Sequence, residues 1–587
     1  MKNFCGVHIT HEAVQKVGGI GSVVAGLLTS AEYENKIEKS LLYGPLFDID
    51  GSDIAKLGKD GIVLYSGKEN YDENGLTKIF KPIEKKYNIK IIYGKRKILH
   101  ESDRTVSSEV DILLVYINEM FESIVNNYKY DFWNKYNIKS ESFKNWDYEQ
   151  YFRIGIPYYE IIAKLYSEYN IIHFSHEYMG IPSILIMKMN KDYSTGSTIN
   201  KTIYYAHEIP AVRTIVEGHP GHDITFYNIM EQCRKENKSL EREFTEIGYN
   251  YRNELVKKTN EFDYIFTVSD LIKKEYLFLK PDTDEKKLKT VFNGVTSRDI
   301  TFEKKLQSKN LLQKYCLNLF NYIPDLVFTH VTRLVRSKGL WRDISFLENL
   351  DEKFRKNNIK GFYILLSTLI GHGRESYDVY KMEREYGWPV LHRKGWPDLV
   401  GMEENIYESI NIFNAKSKNI KAVFINQFGF NKHACGNRVP EGASWLDLRE
   451  GSDAELGFSI YEPFGIAQLE TLPYGGIPIL SSSCGCTDLL KATDIKPDMY
   501  HVVDFLDLDL LKNKLKNLDI KERTELEKEI LKKNVSEVFD KLVKVLDRKV
   551  YKKRFDSARL ISKLISWNSI VKNNIIPVIF GGDKNEL

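Results

Sequence analysis

The chain of 587 residues sets 84 Lys and Arg against 81 Asp and Glu, a formal net charge of +3, and 42% of it is hydrophobic. So slight a charge excess gives no overall pull toward nucleic acid or an anionic membrane, and the length exceeds one ordinary core, so two or more domains are expected. Six cysteines do not make a disulfide framework in a chain this long, no basic segment leads into an apolar stretch at the start, and no apolar run approaches the ~20 residues of a membrane span. The expectation is a cytoplasmic protein with free thiols and no integral membrane segment.

In chain order, Phe4-Cys5-Gly6-Val7-His8-Ile9 reads as a strand, and Val23, Val24, Leu27 and Leu28 fall on one face of a helix. Between them runs Lys16-Val17-Gly18-Gly19-Ile20-Gly21-Ser22. Glycines at a strand-to-helix turn let backbone N–H groups approach an anion, the helix N-terminus adds partial positive charge, and Lys16 adds a full one. The spacing is neither the dinucleotide fingerprint nor a Walker loop, so a plain tight turn remains the other reading. Asp48-Ile49-Asp50 and Asp507-Leu508-Asp509 have the spelling of a metal-binding Asp-x-Asp without supporting residues, and they read as acidic loops.

Apolar runs at 171–174, 202–206, 263–268, 326–331, 361–367, 422–425, 456–461 and 477–480 read as buried strands with helical patterns between them, which makes this an α/β chain. Polar residues follow several of these runs: His176, His207, Ser269, Arg333, Glu462 and Ser481. In open parallel sheets the ligand crevice lies beyond the carboxyl ends of the strands, so one geometric rule gathers these six side chains at the ligand edge. His219-Pro220-Gly221-His222-Asp223 contains metal-ligand types, but its proline and glycine mark a loop that reads as structural or acceptor-side. The boundary between domains is expected in 295–324, and 510–555 read as solvated helices.

Two segments carry the chemistry. After the run 326–331 come Arg333 and Lys338-Gly339, fixed cations able to neutralise a diphosphate as it leaves. After Leu456-Gly457-Phe458-Ser459-Ile460 comes Tyr461-Glu462-Pro463-Phe464-Gly465, with a second carboxylate at Glu470. If 455–461 is a strand and 465 opens a helix, Glu462 stands at the strand's carboxyl end and Glu470 about two turns further on, one to meet a sugar and the other a ribose. Cys484-Gly485-Cys486 lacks a second pair at zinc spacing, and no metal is expected.

Together these segments resemble the glycogen and starch synthases, and more widely the retaining glycosyltransferases of the GT-B fold. Glu12-Ala13 and Lys16-Val17-Gly18-Gly19-Ile20 are similar to the family's N-terminal phosphate and donor loop, closer to the eukaryotic wording than to the bacterial one. His173-Phe174-Ser175-His176-Glu177-Tyr178 resembles its His-Glu-Trp segment, Asn293-Gly294 its interdomain Asn-Gly, and Ser566-Trp567 a segment near its C-terminus; Arg333 and Lys338 keep its Arg-to-Lys spacing. The resemblance implies two Rossmann-like domains facing across a central cleft: 1–294 on the acceptor side, 295–555 binding the nucleotide sugar, and 556–587 a helical segment crossing back. It implies Glu462, His176, Arg333 and Lys338 as catalytic residues, with His176 bonded to the transferred sugar and Glu462 stabilising its oxocarbenium-like charge. It places Glu12, Lys16, Gly18, Gly19, His207, Tyr461, Gly465, Glu470, Ser483, Cys484 and Gly485 around the nucleotide sugar. The implied donor is ADP- or UDP-glucose and the implied acceptor an α-glucan or other carbohydrate, with no cofactor and no nucleic acid; homo-oligomer formation is left open.

The departures are Ser22 where bacterial synthases carry Asp, Tyr178 in place of the usual Trp, and 371–450, where Gly371-His372-Gly373-Arg374 and the segment from Gly436 to Trp445 have no counterpart. They leave open transfer to a small α-glycoside, a lipid or a protein, and a non-catalytic sugar-binding role. A phosphorylase would need a pyridoxal phosphate lysine, for which no context is present.

Overall fold

A computed structural model of the protein describes residues 3–14, 18–58, 60–190, 193, 200–506 and 518–581. The chain forms two compact units. The first comprises Met1–Val212, Asn237–Thr296 and Trp567–Leu587, the second Arg213–Glu236 and Ser297–Ser566. The sequence reading had ended the first domain at 294 and begun the returning segment at 556. Residues 213–236 part from it because Ile224 is buried in the second unit's apolar core and Asp223 is bonded within that unit.

The first unit is built on a ten-stranded sheet. Phe4–Ile9 lies at its centre, parallel to Lys39–Pro45 on one side and to Asn170–His176 on the other, with Val7 opposite both Leu41 and His173. Beyond Asn170–His176 follow Asn200–Ala206, Tyr264–Thr267 and Leu288–Thr290, all parallel. Beyond Lys39–Pro45 comes Ser107–Tyr116, and from there the sheet turns antiparallel through Lys90–Leu99, Ile62–Ser66 and Tyr71–Asp72. Strand order therefore reverses between Phe4–Ile9 and Asn170–His176, whose successors run to opposite edges. In an open α/β sheet such a reversal leaves a crevice at the strands' carboxyl ends.

The second unit repeats the logic more regularly. Six parallel strands run in the order Ile420–Ile425, Gly361–Leu366, Leu326–Val331, Ala454–Gly457, Ile477–Ser481 and His501–Val503. Numbered along the chain this is 3-2-1-4-5-6, the doubly wound order. Apolar layers cover both faces: Phe346, Leu350 and Phe354 with Leu531, Val535 and Val538 on one, and Tyr315, Trp388 and Leu448 on the other. Both units are thus α/β and mostly parallel, and no described helix is long and apolar enough to cross a membrane.

One expected strand is shorter than the apolar run implied. The run 456–461 yields a strand only over Ala454–Gly457, because the chain then leaves the sheet and the Ile460 and Tyr461 N–H groups donate to the Ser337 carbonyl at 2.8 and 3.2 Å. The helix after Gly465 is likewise brief, Ile466–Leu469, and Glu470 caps it in place of standing two turns along.

Trp567 explains two glycines of the first unit. A Cβ on Gly26, inside the helix Gly19–Leu28, would lie 1.9 Å from the Trp567 Nε1, and one on Gly294 would lie 2.6 Å from the Trp567 Cα. A mid-helix glycine ordinarily gives up about 0.5–1 kcal/mol against alanine. Here the indole occupies the space, so Gly26→Ala is expected to destabilise the protein by about 1–3 kcal/mol through overpacking, despite its helix-favouring backbone. Denaturant titration followed by tryptophan fluorescence checks this, and an unchanged or raised midpoint would show that the indole is not fixed there.

Candidate functional site

The second unit brings its predicted cations and carboxylate together where its strand order reverses. Leu326–Val331 and Ala454–Gly457 are neighbours on opposite sides of the reversal, and the segments leaving their carboxyl ends carry Arg333 to Lys338 and Tyr461 to Gly465. Gly339 begins the helix Leu340–Lys356 in a left-handed conformation, φ 61°, and a Cβ there would stand 2.4 Å from the Phe458 carbonyl. This close approach seats the 3₁₀ turn Arg336–Lys338 against the second segment. Lys338 Nζ is ion-paired with Glu462 Oε2, which also accepts from Gln468 Nε2 at 3.1 Å. Gly465, at φ 97°, would bring a Cβ within 3.0 Å of Glu462 Cγ, so glycine is required beside the carboxylate.

Burial pushes the Glu462 carboxyl up, but the charges of Lys338, Arg213 and Arg333 outweigh it and hold the group below the ordinary glutamate value. Glu462 is therefore an anion at neutral pH, set among three cations. Arg333 is exposed; its carbonyl accepts from the Val335 N–H at 3.0 Å, while its guanidinium makes no hydrogen bond or ion pair with a described residue. Arg213 escaped the sequence reading. It sits on the helix Pro210–Gly218 with its guanidinium 5.2 Å above the Tyr461 ring, and it donates to Ser337 Oγ at 3.2 Å. It follows the strand Asn200–Ala206, but the strand-end rule stops there at His207 and passes over the arginine further along.

Behind this cluster lies a buried polar network. Arg342 donates to both Asp223 oxygens, at 3.0 and 2.7 Å, and to Glu527 Oε1 from Nε and Nη2 at 3.0 and 2.7 Å. Ser483 Oγ donates to Asp223 Oδ2 at 2.8 Å. The resemblance places the Ser483-Cys484-Gly485 loop around the nucleotide sugar, and two of its three N–H groups are engaged within the protein. The Cys484 N–H donates to the Ser481 carbonyl and the Gly485 N–H to the Glu462 carbonyl, which leaves the Ser483 N–H as the one of the three without a partner among the described residues. Cys484 is buried, and burial pushes its thiol up to about 11.

Glu470, assigned to a ribose, is paired with Arg449 Nε at 3.0 Å, and Arg449 is held in turn by Glu455 at 3.0 Å and by the Ala467 carbonyl. Ser269 is spent as a helix cap, accepting from the Ile272 N–H at 3.2 Å, and Ser481 donates to the Ser459 carbonyl. His219 and His222 border a cavity of about 300 Å³ with Arg336, Trp341 and Arg523, while Asp223 of the same segment belongs to the buried network. Arg374, in the stretch without a counterpart, is a buried structural hub bonded to Glu403 and to the carbonyls of Pro397 and Asp398.

The first unit gathers a different set at its own strand reversal. His8 and His176 come from the two strands that flank the reversal, and His207 follows the next one. Both ring nitrogens of His176 are engaged, Nε2 by His8 and Nδ1 by His207, each at 3.0 Å. A sugar hydroxyl bonded to the His176 side chain would have to displace one of them. The neighbouring Glu177 has φ 58°, a left-handed backbone that a glutamate rarely adopts, and its carboxylate accepts the N–H groups of His207 and Glu208 at 2.5 and 2.7 Å. Such strain concentrates at functional sites.

The glycine turn is the clearest departure. Glu12 Oε2 accepts from the Gly18 N–H at 3.0 Å and from the Gly21 N–H at 2.9 Å, so a carboxylate already fills two donors that had been offered to a phosphate. Gly19 opens the helix, and Lys16 lies outside the described residues, as does Asp507-Leu508-Asp509. Asp48 is paired with Lys56 at 3.2 Å. Among the described residues no group of three His, Cys, Asp or Glu is placed to hold a metal ion.

No protein-family model matches this chain, and no curated protein does. Solved structures do. The catalytic domain of starch synthase IV from Arabidopsis thaliana, bound to ADP and acarbose, shares 14% identity over 94% of this chain and 99% of its own, with a TM-score of 0.47. An E. coli structure described as trehalose-6-phosphate bound with UDP-2-fluoro glucose shares 12% over 94% of this chain and 98% of its own, with a TM-score of 0.43. A UDP-forming α,α-trehalose-phosphate synthase from Burkholderia xenovorans shares 12% over 97% and 100%, also at 0.43. At these values the functional reading rests on this chain's own side chains.

Proposed function

We propose that the protein is a retaining glycosyltransferase that moves a glucosyl unit from ADP- or UDP-glucose to an α-glucan. The observation that carries the reading is an ionised Glu462 paired with Lys338 and flanked by Arg213 and Arg333, at the strand reversal of a doubly wound sheet. Breaking a glycosyl–phosphate bond creates negative charge on the departing diphosphate and positive charge on the sugar. Fixed cations meet the first need and an anchored carboxylate the second, and both stabilise the transition state more than the ground state.

In this reading Arg333, Lys338 and Arg213 hold the diphosphate, and the free Ser483 N–H adds a donor. Glu462 lies near the anomeric carbon and stabilises its developing charge. No protein nucleophile is assigned. Glu470 meets the ribose from its place on Arg449. The test is a turnover panel crossing ADP- and UDP-activated hexoses with glycogen, maltooligosaccharides, glucose and glucose phosphates. Elongation of glycogen with an α-linked product is the expected result. Transfer to a small sugar alone would replace the glucan acceptor, and no release of nucleotide diphosphate with any pair would overturn the proposal.

A further inference from the structure

The slight overall charge hides a local excess. Residues 544–564 carry eight Lys and Arg against two Asp, a net +6 in a chain whose total is +3, so the rest of the chain is net negative. The helix Arg548–Leu564 of the second unit makes up most of this stretch. Its inner face is fixed by Tyr551, Phe555 and Ala558, all buried, with the rings of Tyr551 and Phe555 5.7 and 5.5 Å from that of Phe302. Arg554 holds the helix in place by donating to the carbonyls of Gly475, Gly476, Asp498 and Met499.

The outer face of a helix so seated should be polar, and this one is not. Val550, Leu560 and Leu564 are 43, 67 and 49% exposed, and Leu546, in the turn before the helix, is 41% exposed. At about 100° per residue the three helical side chains fall within an arc of about 80° and span about 21 Å along the axis. Single exposed leucines are ordinary on a protein surface, but several on one stripe mark a place of contact.

The stripe is set among cations. On the same helical spacing Lys553 lies inside the arc, and Lys549, Lys552 and Lys563 border it on one side. Asp556 is the helix's one acidic residue, and it is already paired with Lys552 at 3.2 Å. The side chains of Lys549, Lys553 and Lys563 are exposed and make no ion pair or hydrogen bond with a described residue.

These charges decide what can cover the stripe. A second copy of the chain would bring the same lysines face to face, since a two-fold contact pairs a surface with itself, and like charges so placed repel. A nucleic acid would answer the lysines but set its phosphates against aliphatic side chains. Protein interfaces draw on Tyr, Trp, Phe and Arg and are depleted in Lys, whereas this face offers Leu, Val and Lys. A lipid interface meets both needs, with anionic headgroups for the ammonium groups and an acyl boundary for the aliphatic ones.

We propose that this face of the helix rests on an anionic membrane surface. Leu546, Val550, Leu560 and Leu564 enter the boundary between headgroups and acyl chains, and the lysines extend along it to reach lipid phosphates and carboxylates. The contact is peripheral, in a chain with no described helix able to cross a membrane. It does not depend on the glycosyl-transfer reading.

The experiment floats the full chain with vesicles of phosphatidylcholine alone and of phosphatidylcholine mixed with phosphatidylserine. Binding to the mixed vesicles is expected, with release as salt is raised. Exchanging Lys549, Lys553 and Lys563 together for Gln should weaken it by about 10²-fold. Leu560→Ser with Leu564→Ser should weaken it by about tenfold or more. Both sets alter exposed side chains, and urea midpoints equal to the wild type's would exclude unfolding as the cause. A wild type that stays off the mixed vesicles, or binding that both variants retain in full, would overturn the proposal. So would equal binding to phosphatidylcholine alone, which would leave the lysines without a part. Self-association in sedimentation velocity that the double serine variant abolishes would give the stripe to a second copy in place of a membrane.

Discussion

Replacing Lys338 with alanine should lower turnover of a nucleotide-activated hexose by roughly 10²–10³-fold with the fold intact. The Lys338 ammonium is paired with Glu462 before any ligand arrives, so the site holds its charges in place and need not reorganise during the reaction. Lys338 is one of three cations that lower the Glu462 carboxyl, and its removal leaves Arg213 and Arg333 to keep that group ionised. The loss should therefore fall mainly on turnover and not on folding. Glu462→Gln makes the complementary test: the chemical step should fail while affinity for the nucleotide diphosphate is largely kept, since the lost charge acts at the sugar. Steady-state rates with saturating donor, together with calorimetric titration of UDP and ADP, separate the two effects. A Lys338 variant that turns over at the wild-type rate would remove this residue from the mechanism, and equal weakening of nucleotide by both substitutions would mean that the two do not divide the work as argued.

What could be read from the sequence follows from how local each signal is. The strands ending at His176, Val331 and Ser481 announce themselves as mostly apolar runs followed by a polar residue, because a parallel strand is buried on both faces and its carboxyl end meets the ligand edge. Lys90–Leu99 did not, since Lys95, Arg96 and Lys97 interrupt it and its antiparallel pairing with Ser107–Tyr116 leaves part of it partly exposed. Gly294 was visible as half of an Asn-Gly pair, but its cause, the backbone of Trp567, lies far along the chain. Arg213 follows the strand end at Ala206 but is masked by the nearer His207, and its place over Tyr461 is a matter of tertiary packing. The glycine turn shows the opposite failure: its spelling permits an anion, and the sequence alone could not say that the anion already bound there is the carboxylate of Glu12. The same limit applied to His176, whose role depended on whether its two nitrogens were free.

Arg342→Ala is expected to destabilise the second unit by about 3–5 kcal/mol, the cost of leaving buried carboxylates without their cation. Arg342 is fully buried, bonded to Asp223 and Glu527 and stacked 3.8 Å over Phe505, so no solvent can take its place. Burial alone would raise the Glu527 carboxyl, but Arg342 overrides it and holds the group below its ordinary value of 4.5. A lowered carboxyl stabilises the fold above its unfolded pKa and loses that contribution as pH falls through the folded value. Wild-type stability should accordingly drop on the acid side of about pH 4.5, and the variant should show less of that drop because its cation is already gone. Arg342→Lys offers a point charge where a planar fork bonds two carboxylates, and it should fall between the two. The network also orients Ser483 through Asp223, so either substitution should weaken binding of UDP or ADP in addition to lowering stability. Urea titrations across pH, paired with nucleotide calorimetry at a pH where each variant is folded, read both effects. An Arg342→Ala protein as stable as the wild type would show that the buried carboxylates take up protons or rotate away at little cost, and unchanged nucleotide affinity would cut the link drawn from Arg342 to Ser483.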